Sequence, residues 1–345
     1  MPNRNEALLT DLCVAVLGGS GFIGRHLVHG LLSAGATVRT YDRAPSRWGG
    51  PLAPTVHVGD FVAGDGLDDV LDGVDVAYHL ISTTIPSTSN ADPTFDVQTN
   101  LVGTLSLLRR MKERGVRRIV FLSSGGTVYG DPSILPVPEQ HELRPLCSYG
   151  IVKVAIEHYL RMAAELEGLD ATVLRLANPF GPGQNRLGIH GVIPTFLRKM
   201  MSGGTIEVWG DGSTVRDYIY CSDVIEAMLL FAPLQYRSGF KVYNVGSGEG
   251  HRLTDVINVL SQVTGLAANV SFVAPRDYDV RRTILDIGKL KSDTGWTPSV
   301  SLVDGCRMCW DAMRHSVQSE VSLVRPDIAA SPDGLVDARR RHKVY

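Results

Sequence analysis

The chain has 345 residues, of which 44% are hydrophobic and 20% charged, with a formal net charge of −2. That length holds two domains or one large two-lobed one, and the composition is that of a globular enzyme. The charge balance argues against a nucleic-acid surface or a polybasic membrane anchor, no apolar run approaches a membrane span, and the start, MPNRNEALLTD, lacks a signal-peptide core, so the expectation is a cytoplasmic protein. Five cysteines do not suggest a disulfide framework. Cys306 and Cys309 make one C-x-x-C in a helical pattern with no partner pair. They read as buried reduced thiols, and no metal site is expected.

In chain order, Val14–Leu17 is an apolar run of the kind buried on both faces of a sheet. Gly18, Gly21 and Gly24 follow at G-x-x-G-x-x-G spacing, and an apolar helical pattern runs on through Leu32. In this context the first glycine allows a tight turn, the second lets backbone approach a pyrophosphate, and the third lets helix pack on strand. The helix N-terminus then offers free N–H groups to the phosphates. A second strand, Thr37–Tyr41, ends at Asp42, where a carboxylate binds the ribose diol of an adenosine and repels a 2′-phosphate. The reading is NAD rather than NADP, a preference that the adjacent Arg43 weakens.

Thr55–Val58 reads as a short strand, Asp75–Leu80 as a fourth, and Ile81–Pro93 as a polar loop. Thr94–Arg114 has helical periodicity with Leu101, Leu105, Leu108 and Met111 on one face. Ile119–Leu122 and Thr172–Leu176 are further strands, with a helix over Ser148–Gly168 between them. This repeated β-α-β rhythm means a Rossmann-type α/β fold, a doubly wound parallel sheet. After Asn178 the rhythm changes: Pro and Gly punctuate Pro179–Gly191, a helix runs from about Pro194 to Met201, and short strands follow at Ile206–Trp209 and Tyr243–Val245. The expected division is a cofactor domain over 11–178, regained near 218–246, and a smaller substrate lobe from 179–217 and 247–315. Residues 320–345, which end in RRRHK, are expected to be a mobile tail.

Tyr149 and Lys153 form Y-x-x-x-K at the start of a helix, on one face and one turn apart. An ammonium beside a phenol favours the phenolate, and such a tyrosine can take a proton from a sugar hydroxyl near neutral pH. The ordered motifs are GGSGFIG (18–24), GD (59–60), YHL (78–80), Asn100 with Gly103-Thr104, SSGGTVYGD (123–131), YGIVK (149–153), LRLANPFGPGQ (174–184), GDGSTVRDYIY (210–220), YNVGSG (243–248) and DIGKLKSDTGWTP (286–298). On these the chain resembles the extended short-chain dehydrogenase/reductases, in their nucleotide-sugar epimerase/dehydratase branch, from about Leu12 to Asp311.

The resemblance implies roles by position. Backbone N–H groups of Phe22 and Ile23 would meet the pyrophosphate, Asp60 and Phe61 would flank the adenine, and Leu80, Ile81 and Ser82 would line the nicotinamide side with Ser123 nearby. Asn178, Arg216 and Arg276 would hold the substrate's diphosphate, and Trp209 would border its base. Guanidinium forks suit that task because they bind phosphate oxygens bidentately. The family's dimer would form through helices 94–114 and 148–168, as a four-helix bundle.

One departure stands out. The family's Ser or Thr before the VYG tyrosine falls on Gly125, which leaves Ser124 for the proton relay and Thr127 for the sugar. A serine restored at 125 is expected to be tolerated unless the pocket has closed around the glycine. The acids of the branch's dehydratases are replaced by Gly126 and Thr127, which disfavours loss of water. The expected reaction is NAD-dependent epimerisation at carbon 4 of a nucleoside-diphosphate hexose, UDP foremost, through a 4-keto sugar. Open beside it are a 4-keto reductase, a decarboxylase, a uronic-acid epimerase and a non-catalytic NAD sensor.

Overall fold

The computed structural model describes residues 9–46, 48–49, 52–184, 191–233, 239–275 and 280–323, with backbone only over 317–323. Its centre is a seven-stranded parallel sheet. The strands that build it are β1 (Cys13–Leu17), β2 (Thr37–Asp42), β3 (Thr55–Val58), β4 (Val76–His79), β5 (Arg118–Ser124) and β6 (Asp170–Leu176), with a late strand at Phe240–Val245. The order across the sheet is Phe240–Val245, β6, β5, β4, β1, β2, β3. The return of 240–245 beside β6 places the far C-terminal half of the chain on the same sheet as the N-terminal half.

The apolar runs have a physical cause in this layering. Val14 and Val16 belong to the core on one side of the sheet, and Ala15 and Leu17 to the core on the other. Successive strand residues point to opposite faces, so a strand covered on both faces must be apolar throughout. Helix α1 (Phe22–Ser33) packs with a helix at Cys221–Leu229 on the first side through Leu27, Val28, Leu31, Val224 and Met228. The second side is covered by α2 (Leu67–Leu71) and two longer helices described next.

The segment expected as one helix over 94–114 is three pieces: α3 (Pro93–Asp96), a π-helical stretch at Val97–Val102, and α4 (Gly103–Glu113). Its buried face is therefore Asp96, Thr99, Asn100, Gly103, Thr104, Leu107 and Met111, with Leu101, Leu105 and Leu108 only half-buried. The wider π turn advances the chain by an extra residue and shifts the face that a regular 3.6-residue period predicts. Helix α5 (Ser148–Glu167) buries Val152, Ile156 and Leu160 against the same core.

Beyond β6 the chain forms smaller sheets. Strand β7 (Asn178–Phe180) pairs with β9 (Val215–Tyr220), and β8 (Thr205–Trp209) pairs with a strand at Asn269–Val273. The last helix, Leu302–Leu323, carries Cys306 and Cys309, both buried and both free thiols. It extends into the stretch expected as tail, and residues 324–345 lie outside the described ones. Among the described residues no helix is long and apolar enough to cross a membrane, and no group of three or more His, Cys, Asp or Glu is placed to hold a metal ion.

Candidate active site

The chain leaves every parallel strand of the sheet at the same edge, and the predicted site residues collect there: Gly18 after β1, Asp42 at the end of β2, Leu80 after β4, Ser124 at the end of β5 and Asn178 after β6. The carboxyl edge of such a sheet is where ligands bind. Two cavities open along it.

The first, of about 280 Å³, is lined by Gly18, Gly21, Tyr41, Asp42, Arg43, Phe61, Leu80, Ile81, Ser82 and Thr83. Gly18 has φ +91°, and a Cβ there would press on the Leu80 carbonyl carbon at 3.2 Å and the Ile81 nitrogen at 3.1 Å. A Cβ at Gly24 would run into the Gly18 carbonyl. Glycines at both positions keep a backbone cradle open at the start of α1, and no side chain caps that helix's first N–H groups. These bare N–H groups include those of Phe22 and Ile23. Asp42 Oδ2 accepts from Ser20 N at 2.9 Å and Ser20 Oγ at 2.7 Å. Its Oδ1 makes no hydrogen bond among the described residues. Burial pushes its carboxyl above the usual range, while the Ser20 bonds and Arg25 act the other way. The cradle, the uncapped helix end and the open carboxylate oxygen fit a dinucleotide.

Two expected members of this cavity are turned elsewhere. Asp60 accepts from Val62 N and Ala63 N through Oδ1 and so closes its own turn, at 2.8 and 3.0 Å. Ser123 donates to Glu157, which is ion-paired at 2.6 Å with Arg175 in the protein interior. Ser123 and Ser124 are adjacent on β5, so only one of them faces the edge cavity, and it is Ser124.

The second cavity, of about 240 Å³, is lined by Pro86, Ser87, Ser124, Gly126, Thr127, Leu146, Cys147, Ala177, Asn178, Arg216 and Val280. It thus brings together four residues that are up to 92 positions apart in the chain, Ser124, Thr127, Asn178 and Arg216. Thr127 Oγ1 is buried and has no hydrogen-bond partner among the described residues. Asn178 Nδ2 donates to the Asp217 carbonyl at 2.9 Å. Asp217, fully buried, accepts from Ser247 N and Oγ, Gly248 N and Leu285 N, which fixes the loop behind Arg216. Trp209 is not part of this cavity; it stands at the end of β8, 42% exposed. Arg276 lies outside the described residues.

Tyr149 sits at the seam of the two cavities. Ser82, from the wall of the first, and Ser124, from the wall of the second, both act on its phenol. Burial pushes the phenol up to about 12, Cys147 and the Asp96 carboxylate push the same way, and Ser82 and Ser124 oppose them. Lys153 Nζ donates to the Leu122 carbonyl at 2.9 Å and lies 5.5 Å from the centre of the Tyr149 ring and 4.6 Å from that of Phe121. Burial draws the ammonium down to about 8, against the Glu157 and Asp96 carboxylates. Lys153 thus stands beside the phenol as expected, held by a strand carbonyl, while desolvation is the largest influence on the phenol.

Residues 14–246 match the family described as NAD dependent epimerase/dehydratase. The chain belongs to that family. Its cofactor is NAD. A UDP-glucose 4-epimerase from Mycolicibacterium smegmatis is 33% identical over 311 residues, which covers 88% of this chain and 99% of the relative. A dTDP-4-dehydro-6-deoxyglucose reductase from Escherichia coli is 32% identical over 302 residues, 85% of this chain and 94% of the relative. The Thermus thermophilus UDP-glucose 4-epimerase, solved in complex with NAD, superposes with a TM-score of 0.81 at 32% identity, over 88% of this chain and 99% of that one. Missed from sequence were the influence of Ser82 on the phenol, Cys147 as cavity lining, and Asp96. The one available signal for Asp96 was a carboxylate four residues before Asn100 in a helical pattern.

Proposed function

We propose that the chain is a nucleotide-sugar 4-epimerase that inverts carbon 4 of a UDP-hexose. The observation that carries this reading is the single cavity that brings Ser124, Thr127, Asn178 and Arg216 together, with Ser124 acting on the Tyr149 phenol. When bound, NAD supplies a hydride acceptor for carbon 4 and a cationic ring whose charge favours the phenolate. Tyr149 takes the proton of the 4-hydroxyl, Ser124 relays it, and Thr127 offers its unpartnered hydroxyl to the sugar. Asn178 and Arg216, in the wall of the second cavity, hold the diphosphate. Holding the substrate by its diphosphate would leave the sugar itself loosely bound and free to present either face to the cofactor site. Gly126 and Thr127 provide no acid for dehydration. The relatives named UDP-glucose 4-epimerase support the sugar nucleotide. In this reading the cofactor domain and the substrate lobe divide as the sequence suggests, with Trp209 on the nucleotide side.

The same reading makes the protein a homodimer. Phe95, Val97 and Val102 on the 93–113 helical run, with Ile151, Tyr159, Met162 and Leu166 on α5, are exposed apolar side chains on the two helices expected to pair.

The test incubates the NAD-loaded protein with UDP-glucose and reads products by NMR. UDP-galactose appearing with no net NADH supports the proposal. Turnover only of a 4-keto sugar, with NADH oxidised in step, would make it a reductase instead. Tyr149→Phe should abolish the reaction, since a general base contributes about 10²–10⁴-fold.

A further inference from the structure

Asp96 is completely buried at the junction of α3 and the π-helical stretch. Both of its oxygens are engaged, and they reach in different directions. Oδ1 accepts from Thr84 Oγ1 at 2.7 Å and from Asn100 Nδ2 at 2.8 Å. Oδ2 accepts from Ser148 Oγ at 2.7 Å. Thr84 follows Ser82 in the loop after β4, and the Ser82 hydroxyl donates to the Thr84 carbonyl at 3.1 Å. Ser148 is the first residue of α5 and immediately precedes Tyr149. One carboxylate thus ties the loop that carries Ser82 to the helical turn that carries the phenol. Asn100 strengthens the tie, because its Oδ1 accepts from Thr83 N at 2.9 Å. π turns recur at functional sites, and here the wider turn puts Asp96 and Asn100 on one buried face.

We propose that Asp96 is a positioning residue for the base: it fastens the Ser82–Thr84 loop to the first turn of α5, so that the Tyr149 phenol is held between Ser82 and Ser124. The proposal rests on the reading of Tyr149 as base. A buried carboxylate costs stability unless it is fully hydrogen-bonded, and this one is satisfied only by groups whose relative positions set the phenol. Its charge also reaches the site. It acts on Tyr149 together with Cys147, and on Lys153 together with Glu157, while His79 faces Lys153 from β4. Tether and charge are separable by substitution. Asp96→Asn keeps an oxygen for Thr84 and Asn100 and offers an N–H to Ser148 Oγ, but carries no charge. Asp96→Ala removes both. Thr84→Val removes one tether and keeps the charge.

The experiment compares these three variants, Tyr149→Phe and the wild type, all NAD-loaded, by crystal structure and by steady-state kinetics with UDP-glucose. The expected result is that the phenol leaves Ser82 in Asp96→Ala and Thr84→Val and stays in Asp96→Asn. Turnover should fall roughly ten- to a hundredfold in the first two at unchanged KM and NAD content, as for a reacting group displaced by about 1 Å. Asp96→Asn should retain most of the rate, with its pH–rate profile moved to lower pH because the carboxylate near the phenol is gone. A phenol that stays in place in Asp96→Ala and Thr84→Val overturns the proposal. So does an equal displacement in Asp96→Asn, which would make the charge, and not the tether, responsible. An active Tyr149→Phe enzyme would sink the base assignment, and the phenol positions would still judge the tether separately.

Discussion

Restoring a serine at 125 puts the hydroxyl argument to its hardest test. A Cβ built on Gly125 meets Leu285 Cδ1 at 2.5 Å, Leu285 Cδ2 at 3.0 Å and the Arg175 carbonyl oxygen at 3.1 Å. Leu285 is fully buried in the core on the α1 side of the sheet, so its methyls have little room to swing away. The carbonyl belongs to β6, whose Leu176 carbonyl accepts from Gly125 N at 2.8 Å, and it cannot move without disturbing that pairing. Gly125 does not have a left-handed backbone, so the penalty is steric. Overpacking of a filled core typically costs about 1–3 kcal/mol, and Gly125→Ala, which adds only the Cβ, should carry most of it. Shortening the neighbour tests the cause. In a Leu285→Ala background, itself costing about 2–5 kcal/mol, the alanine at 125 should cost little or nothing. The assay is urea unfolding of the four proteins of this cycle, with turnover of UDP-glucose alongside. Because the new side chain points at Leu285 and not into the cavity, Gly125→Ser should not raise the rate. A Gly125→Ala protein as stable as wild type, or a penalty undiminished beside Leu285→Ala, refutes the packing argument. The core, through Leu285, fills the space beside the glycine, so a serine at 125 is expected to be costly where the family pattern alone suggests tolerance.

Other outcomes follow from the same geometry. Ser124→Ala should cut turnover strongly and Thr127→Ala less, because Ser124 acts on the phenol and Thr127 does not; the reverse order in kcat would count against Ser124 as relay. Arg216→Ala should weaken UDP binding by roughly ten- to a hundredfold, the loss expected of a charge-assisted pair, without loss of NAD; calorimetry that finds both ligands weakened equally would make the arginine structural. His79 is buried between the rings of Phe61 and Phe121, with Nε2 on Thr104 Oγ1 at 2.8 Å, and burial, aided by Lys153, draws its imidazole down to about 3. Its folded value is depressed, so stability is full above the ordinary histidine range near 6.5 and declines by a few kcal/mol as pH falls toward 3. His79→Phe should flatten that decline in chemical unfolding between pH 7 and 4, and an equally steep decline in the variant would exclude His79 as its source.

The parts of this protein legible in its sequence are those that one short stretch defines. The glycine spacing at 18–24 dictates a turn, a bare helix N-terminus and close helix packing, all within a single β-α unit. The apolar runs of β1, β4 and β5 announce burial on both faces, and their alternation with helices implies a parallel sheet. Tyr149 and Lys153 share a helical face by spacing alone. Tertiary structure decided where the groups beside them go. Lys153 is placed beside the phenol by spacing, and folding decides that a strand carbonyl, that of Leu122, holds its ammonium there. Ser123 and Ser124 are equivalent in sequence, and the pleat of β5 sends one to the buried Glu157 and the other to the cavity. A regular helical period cannot anticipate the π turn at 97–102, because that turn is held by contacts with the loop at 83–84 and with Ser148, far away in the chain. Nor can any local pattern show that Leu285, 160 positions after Gly125, closes over it. Spacing sets what an element can present, and long-range packing decides which atoms it meets.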